Sequence, residues 1–339
     1  MAPSNTAFSK NIINWYKVNG RKDLPWRKKT TPYRVWISEI MLQQTQVKTA
    51  IPYFKKFIKT YPSLKSILHA SEDEILALWS GLGFYRRAQN IFKAKEIIKY
   101  HYKGKFPSKF EEIRELPGIG RSTAGAIMAI AFKQPYPILD ANVKRVISRY
   151  LNINIAERKN FDKSMWEKSE LLKPDSEIFD FTQGIMDIGA TICTAKNINC
   201  EICPLENNCL TSLNSIEIIK NKPKKRKVKK EFLDLILAYT DKKILLFKRD
   251  ENRFWQSLWM PLEVRDENQK VIKIKNAVSV NTYNILHKLT HLDLDIRITM
   301  LKFNKVFSVS SNMEYSWINT NEINNFGIPQ PIKKILRKL

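Results

Sequence analysis

Hydrophobic positions follow two different rhythms along the chain. Up to residue 212 they recur at helical spacing, in FSKNIINWYKVN, YRVWISEIMLQQTQVKTAIPYFKKFI, DEILALWSGLGFYRRAQNIFKAKEIIKYHY, RSTAGAIMAIAF and NVKRVISRYL. Pro25, Pro32, Pro62, Pro107, Pro117 and Pro137 punctuate these runs. Thr31 before Pro32 predicts a helix start, a cap followed by a proline whose missing N–H costs nothing there. From residue 231 the rhythm becomes alternation. FLDLILAY, the turn TDKK, KILLFKR, HLDLDIRITML and KVFSV predict strands, and QPIKKILRKL predicts a closing helix. The patterning therefore predicts an all-helical domain over 1–212, a linker over 213–230 and a smaller α+β domain over 231–339. No internal repeat is visible.

Composition narrows the function classes. A chain of 339 residues with 43% hydrophobic side chains can bury two cores, which excludes wholesale disorder. No apolar run reaches the length of a membrane span, and the opening MAPSNTAFSKNIINWYKVNG holds no export segment. A soluble, intracellular (cytoplasmic) monomer with no membrane partner is expected. The formal net charge of +25 calls for a polyanionic partner, and nucleic acid is the leading one. A lysine-biased proteome is the competing explanation, since Lys, Ile and Asn abound. The stretch 220–230, KNKPKKRKVKK, carries eight basic residues in eleven and no acid. It reads as a tether that also touches phosphates.

All four cysteines, Cys193, Cys200, Cys203 and Cys209, fall within seventeen residues, spaced C-x6-C-x2-C-x5-C. Disulfides do not suit a reducing interior. Zinc ribbons usually show two C-x2-C knuckles, and this stretch has one. A cubane iron–sulfur cluster accepts uneven spacing. Zinc and cluster both remain open on spacing.

Further motifs carry chemistry. Leu116-Pro-Gly-Ile-Gly-Arg-Ser122 precedes a small-residue helix. Gly118 and Gly120 let the backbone turn tightly beside a ligand, and the following N–H groups suit a phosphate. Asp140 opens the next helix, where an N-cap is its ordinary role. Glu39 lies on a helix read over 33–50, with Val35, Trp36, Leu42 and Gln43 one turn away. A carboxyl on an apolar face resists ionisation, which suits a general acid. An exposed rim glutamate is the competing reading.

The hairpin loop, Asp140 and the cysteine spacing resemble the helix-hairpin-helix base-excision superfamily. LPWR at 24–27, TPYRVWISEIMLQQTQV at 31–47, LWSGLGFYRRAQN at 78–90 and MDIGATIC at 186–193 resemble its MutY family of adenine DNA glycosylases. The resemblance is strong over 8–215 and weak beyond. It implies a helix-hairpin-helix glycosylase domain with a [4Fe-4S] loop over 193–209, followed by a Nudix-like domain. It also implies that Glu39 protonates a flipped adenine, that Asp140 stabilises the sugar cation, and that Asn142 orients the site. Gln183 then reads the adenine edge, while Gln44 and Phe84 act as wedges near the opposite base. Gly118 and Gly120 grip the DNA backbone. Strand-cutting relatives carry a lysine at the position of Ser122, and a hydroxyl cannot form their Schiff base. A monofunctional enzyme is therefore implied, acting on duplex DNA with A:8-oxoguanine or A:G mispairs.

Three departures stand out. Phe84 replaces the family's tyrosine, Ala141 replaces the glycine of LDGN, and Leu289-Thr290-His291 replaces Phe-Ser-His in the lesion-sensing loop. FWQSLWMPLE at 254–263 matches the Trp/Pro landmark of the Nudix-like domain, but the paired glutamates for magnesium do not follow. That domain is expected to recognise rather than hydrolyse, through Thr290 and His291. Trp15, Trp79 and Trp166 read as core. The rival readings are an endonuclease III-like pyrimidine glycosylase and a non-catalytic DNA-binding redox sensor. Ser122, Gln183 and the second domain weigh against the first, and Glu39 with Asp140 against the second.

Overall fold

A computed structural model describes residues 5–153, 160–213, 228–249, 253–264, 277–289, 292–337 and 339. Its helices in chain order are α1 (Asn5–Asn19), α2 (Pro32–Leu42), α3 (Val47–Thr60), α4 (Leu64–Ile67), α5 (Glu72–Trp79), α6 (Arg86–Tyr100) and α7 (Phe110–Glu115). They continue as α8 (Arg121–Ile127), α9 (Ala141–Tyr150), α10 (Phe161–Leu172), α11 (Ile178–Thr191), α12 (Leu210–Leu213) and α13 (Gln330–Leu336). The strands are β1 (Lys229–Tyr239), β2 (Lys243–Lys248), β3 (Trp259–Met260), β4 (Leu262–Glu263), β5 (Ser279–Lys288), β6 (Leu292–Lys302) and β7 (Tyr315–Asn319). The expected fold class, an all-helical part followed by an α+β part, is what forms. Contacts divide the chain into two units, 1–69 with 93–222, and 70–92 with 223–339. No helix among the described residues is long and apolar enough to cross a membrane.

Local chemistry sets the helix ends. The Thr31 side chain accepts from the Arg34 N–H with Pro32 in the first turn, as the dipeptide predicts. Two runs that read as single helices are broken. The run from Tyr33 stops at Leu42 and restarts at Val47, because Gln44 takes a left-handed φ of 55°. The run from Asp73 breaks between Trp79 and Arg86, where Gly81, Gly83 and Phe84 all have positive φ. The run after Gly120 is seven α-helical residues followed by a π-helical turn, Met128–Phe132.

In the first unit α11 is the common partner of its neighbours. Gly184 admits α1: a Cβ there would lie 2.8 Å from Ile12 Cγ2 and 3.0 Å from Tyr16 Cβ. Gly189 admits α9, where a Cβ would lie 2.7 Å from Asn142 Cβ. Phe8, Ile12, Ile13 and Tyr16 of α1 and Phe181, Ile185 and Ile188 of α11 are buried. Each such side chain contributes about 1.5–3 kcal/mol by leaving water. Between the two glycines, Asp187 is fully buried. The Arg21 N–H donates to it at 3.0 Å, and the Arg21 guanidinium at 2.9 and 2.6 Å. The Arg27 guanidinium donates at 2.6 and 2.8 Å. Burial alone pushes the Asp187 carboxyl up, but Arg27 and then Arg21 outweigh it and hold the group below the ordinary carboxylate range.

In the second unit the sheet runs β3-β2-β1-β6-β5, with β4 beside β1 and β7 beside β2. β1 and β6 pair in parallel, Leu233 opposite Ile296 and Leu237 opposite Met300, while the other pairings are antiparallel. Ile236, Ala238, Leu245, Phe247, Leu262, Leu301, Phe303 and Val309 form its core cluster. The segment 70–92 joins this unit through polar ties. The Trp259 indole donates to Asp73 at 2.8 Å, Ser80 Oγ to the Ile328 carbonyl at 2.9 Å, and the Gln89 amide to the Gln256 carbonyl at 2.9 Å. FLDLILAY, KILLFKR and HLDLDIRITML form strands and QPIKKILRKL closes as α13. KVFSV does not form a strand. Phe307 and Val309 still pack on the core, but their backbone is used by side chains. The Trp317 indole donates to the Phe307 carbonyl, and the Val309 N–H to the Tyr315 hydroxyl. Trp79 is core as read, whereas Trp15 and Trp166 are half-buried, and the Arg121 guanidinium lies 4.1 Å from the Trp166 ring. Residues 214–227 of the linker, with most of its basic stretch, lie outside the described residues.

Replacing Asp187 by Asn leaves two guanidiniums facing a neutral amide. The expected loss is about 3–5 kcal/mol at neutral pH, read by urea unfolding. Because the native carboxyl is depressed, the gap between the two proteins is full above the ordinary carboxylate range and closes as pH falls through the native value. A gap under about 1 kcal/mol at pH 7 would contradict the clamp.

Candidate active site

A cleft of about 880 Å³ in the first unit is lined by α2, the turn 43–46, α8, the start of α9 and α11. It brings together Glu39, Gln44, Ser122, Asp140, Asn142 and Gln183. Glu39 comes from α2, whose other faces bury Val35, Trp36, Ile37, Ile40 and Met41. Its side chain keeps some surface toward the cleft but is otherwise enclosed by protein. Burial, reinforced by the negative charge of Asp140, raises its carboxyl to about 7, and Arg27 pulls weakly the other way.

Asp140 caps α9, accepting from the Val143 N–H at 2.7 Å through one oxygen. The Asn142 amide donates to its other oxygen at 3.1 Å. Asn142 is fixed in turn, because Arg145 donates to its carbonyl oxygen at 2.9 Å. Arg145 also donates to the Gly189 carbonyl and, at 2.7 Å, to the Cys193 carbonyl. A continuous chain of hydrogen bonds thus leads from the Asp140 carboxylate to the cysteine loop. Ser122 Oγ accepts from the Leu139 N–H at 2.9 Å and pins the backbone just before Asp140. Gln183 is buried on α11 with its side chain in the cleft. Gln44 is exposed at the rim. Neighbouring Gln43 reaches into the hairpin loop, donating to the Gly118 carbonyl at 3.2 Å. Gly118 is left-handed, with φ 82°, and Gly120 caps α8 with open space where a Cβ would sit.

The four cysteines line a separate small cavity with Arg149, Ile192 and Ile198. Arg149 donates to the Cys193 sulfur at 3.3 Å and to the Thr194 carbonyl at 2.7 Å. Burial pushes the Cys203 thiol up to about 12 and raises Cys209 as well. Sulfurs so placed need a cationic group to become thiolates, and four of them around one cavity fit an iron–sulfur cluster as a donor set. Among the described residues, no three His, Cys, Asp or Glu side chains form a group that could hold a single metal ion, so the fit to a cluster rests on the donor set and not on a preformed geometry.

Phe84 is not among the residues that line this cleft. Phe84 belongs to the second unit and lines its own cavity of about 1120 Å³ with Trp255, His287 and Leu289. Thr290 and His291 lie outside the described residues. Sequence reasoning missed Arg27, Arg145 and Arg149. The arginine of LPWR and the two in NVKRVISRYL were visible, but nothing in spacing told them from surface charge.

A helical cleft with paired carboxyls, a glycine hairpin and a four-cysteine loop defines a base-excision glycosylase, and the comparisons agree. The profile of the HhH-GPD superfamily base excision DNA repair protein matches residues 37–171, and a NUDIX domain profile matches 235–338. The adenine DNA glycosylase of Buchnera aphidicola subsp. Baizongia pistaciae (strain Bp) is 43% identical over 340 residues, covering 98% of this chain and 96% of that protein. The adenine DNA glycosylase of Buchnera aphidicola subsp. Acyrthosiphon pisum (strain APS) is 40% identical, over 97% of this chain and 96% of that one. Among solved structures, a thermostable thymine-DNA glycosylase superposes with TM-score 0.57 at 30% identity, over 62% of this chain and 97% of its own. The chain belongs to the adenine DNA glycosylase family and is a DNA glycosylase of base-excision repair.

Gly189→Ala should drive a methyl into α9 at Asn142 and displace the Asp140 cap. We expect a stability loss of about 1–3 kcal/mol and a larger proportional loss of turnover. Thermal melting and single-turnover base release check it, and full turnover in the variant would show that α9 tolerates the shift.

Proposed function

We propose that this enzyme is a monofunctional glycosylase that removes adenine mispaired with 8-oxoguanine or guanine from duplex DNA. The observation that carries the reading is the asymmetry of its two cleft carboxyls. Glu39 is raised to about 7 by burial and by Asp140, so it holds a proton near neutral pH. With adenine flipped into the cleft, Glu39 donates that proton to N7 as the C–N bond to the sugar breaks. Asp140, held by Val143 and Asn142, faces the developing positive charge. It stabilises that charge electrostatically or through a transient bond to the sugar, and water completes the hydrolysis. Gln183 offers both a donor and an acceptor to the adenine edge.

Ser122 supports base release without strand cleavage. Its oxygen is engaged by the backbone and can form no imine. Gln44 and Phe84 act as wedges, the loop at Gly118 and Gly120 meets phosphate, and Thr290 and His291 sense the lesion. The cysteine loop holds a [4Fe-4S] cluster through Cys193, Cys200, Cys203 and Cys209. These cysteines would hold the cluster, which would brace the loop's fold, while Arg149 of α9 donates to the Cys193 sulfur and the Thr194 carbonyl; the chemistry stays between Glu39 and Asp140. The enzyme acts as an intracellular monomer, with duplex DNA as its partner.

Duplexes carrying A opposite 8-oxoguanine, A opposite guanine, and thymine glycol opposite A test this directly. Breaks at adenine that appear only after alkali are expected. Breaks without alkali, or loss of thymine glycol instead, would overturn the reading. Glu39→Gln should bind DNA yet release adenine about a hundredfold slower or worse. The wild-type rate should fall as pH rises through about 7, because the neutral form of Glu39 is the active one. A second measurement concerns the metal: protein purified without air should contain iron and show a visible absorption shoulder, and stoichiometric zinc would refute the cluster.

A further inference from the structure

Phe84 is held in a conformation that a free phenylalanine avoids. Its φ is 49° and the residue is 42% exposed, although it stands in a tightly bonded loop. Tyr85 and Trp79 fasten that loop. The Gly81 N–H donates to the Tyr85 hydroxyl at 3.2 Å, and the indole of the fully buried Trp79 donates to the Gly83 carbonyl at 3.1 Å.

Arg87, in the first turn of α6, reaches the same point. It is only 8% exposed. Its Nη2 donates to the Gly83 carbonyl at 3.1 Å and its Nε to the Phe84 carbonyl at 3.4 Å. Its guanidinium carbon lies 5.2 Å from the Trp79 ring centroid and 5.4 Å from that of Phe84. Burial draws the group down to about 10, so it remains charged at neutral pH. The cation therefore grips the backbone on both sides of the left-handed residue and lies against its ring.

We propose that Arg87 is a positioning residue, which fixes the Phe84 ring in the exposed conformation that enters the duplex. This rests on the reading of Phe84 as a wedge. A lysine would not replace it, because a point charge lacks both the fork that takes two carbonyls and the planar face that meets two rings. Arg87 touches no reacting atom and acts only through Phe84.

The test compares two substrates. With adenine opposite 8-oxoguanine, Arg87→Lys and Arg87→Met should each release adenine at least tenfold more slowly in single turnover. With adenine opposite an abasic-site analogue, where no base pair has to be opened, the loss should shrink at least tenfold. A 2-aminopurine placed beside the opposite base should brighten on binding wild type and stay dim with Arg87→Met. Equal losses on both substrates, or an undiminished fluorescence change, would overturn the proposal. Phe84→Ala tests the underlying reading separately. If that variant brightens the probe as wild type does, the wedge reading fails. If it leaves the probe dim while Arg87→Met brightens it, the proposal for Arg87 alone fails.

Discussion

The meeting of Asp187 with Arg21 and Arg27 is the interaction on which the first unit depends. α11 touches α1 and α9 through glycines, which permit close approach but grip nothing. The carboxylate between those glycines supplies the grip. Two guanidiniums from the stretch before α2 converge on it and fix the helix against sliding or turning. With α11 fixed, Gln183 faces the cleft and Gly189 lies against Asn142. A buried ion cluster is poor value as a source of stability, because desolvation consumes most of the attraction. Its worth here is register: an apolar replacement would pack, but it would not choose one rotation of α11.

Arg27 connects that structural grip to the chemistry. It is bound by Asp187 and also lowers the proton affinity of Glu39. The Glu39 carboxyl thus sits between a negative neighbour, Asp140, and a positive one whose place is set by the fold. Burial and Asp140 win, and the group titrates near neutrality. The oxygens of Asp140 accept hydrogen bonds from Val143 and Asn142. In the proposed mechanism the two carboxyls divide the work as acid and charge stabiliser, one enclosed by protein and the other held by donors.

Much of this was legible in the sequence, for local reasons. Thr31-Pro32 encodes its own cap, the alternation of FLDLILAY encodes a strand, and the four clustered cysteines mark the loop that lines the small cavity. The helical neighbours of Glu39 allowed a perturbed carboxyl and an exposed rim glutamate alike, and the enclosure that decides between them comes from the fold. The illegible parts are those decided by tertiary structure. The breaks at 43–46 and 80–85 interrupt continuous apolar periodicity, because left-handed Gln44 and Phe84 are imposed by surroundings rather than by their own preference. KVFSV alternates like a strand, yet Trp317 and Tyr315 claim its backbone groups. Arg145 and Arg149 look like ordinary helix-surface charges until the chain folds the cysteine loop back onto α9.

The parallel pairing of β1 with β6 sets the order in which the second unit can be completed. Leu233, Leu235 and Leu237 leave the ribosome more than fifty residues before Ile296, Ile298 and Met300, their partners across the ladder. Hairpin formation cannot supply this contact, so an early apolar strand waits with one edge unpaired while the chain between is made. Such a strand is vulnerable to pairing with another molecule, and non-local pairing of this kind folds slowly. The second unit is thus the part of the enzyme most exposed to misassembly during synthesis, even though its finished sheet places both strands at the centre.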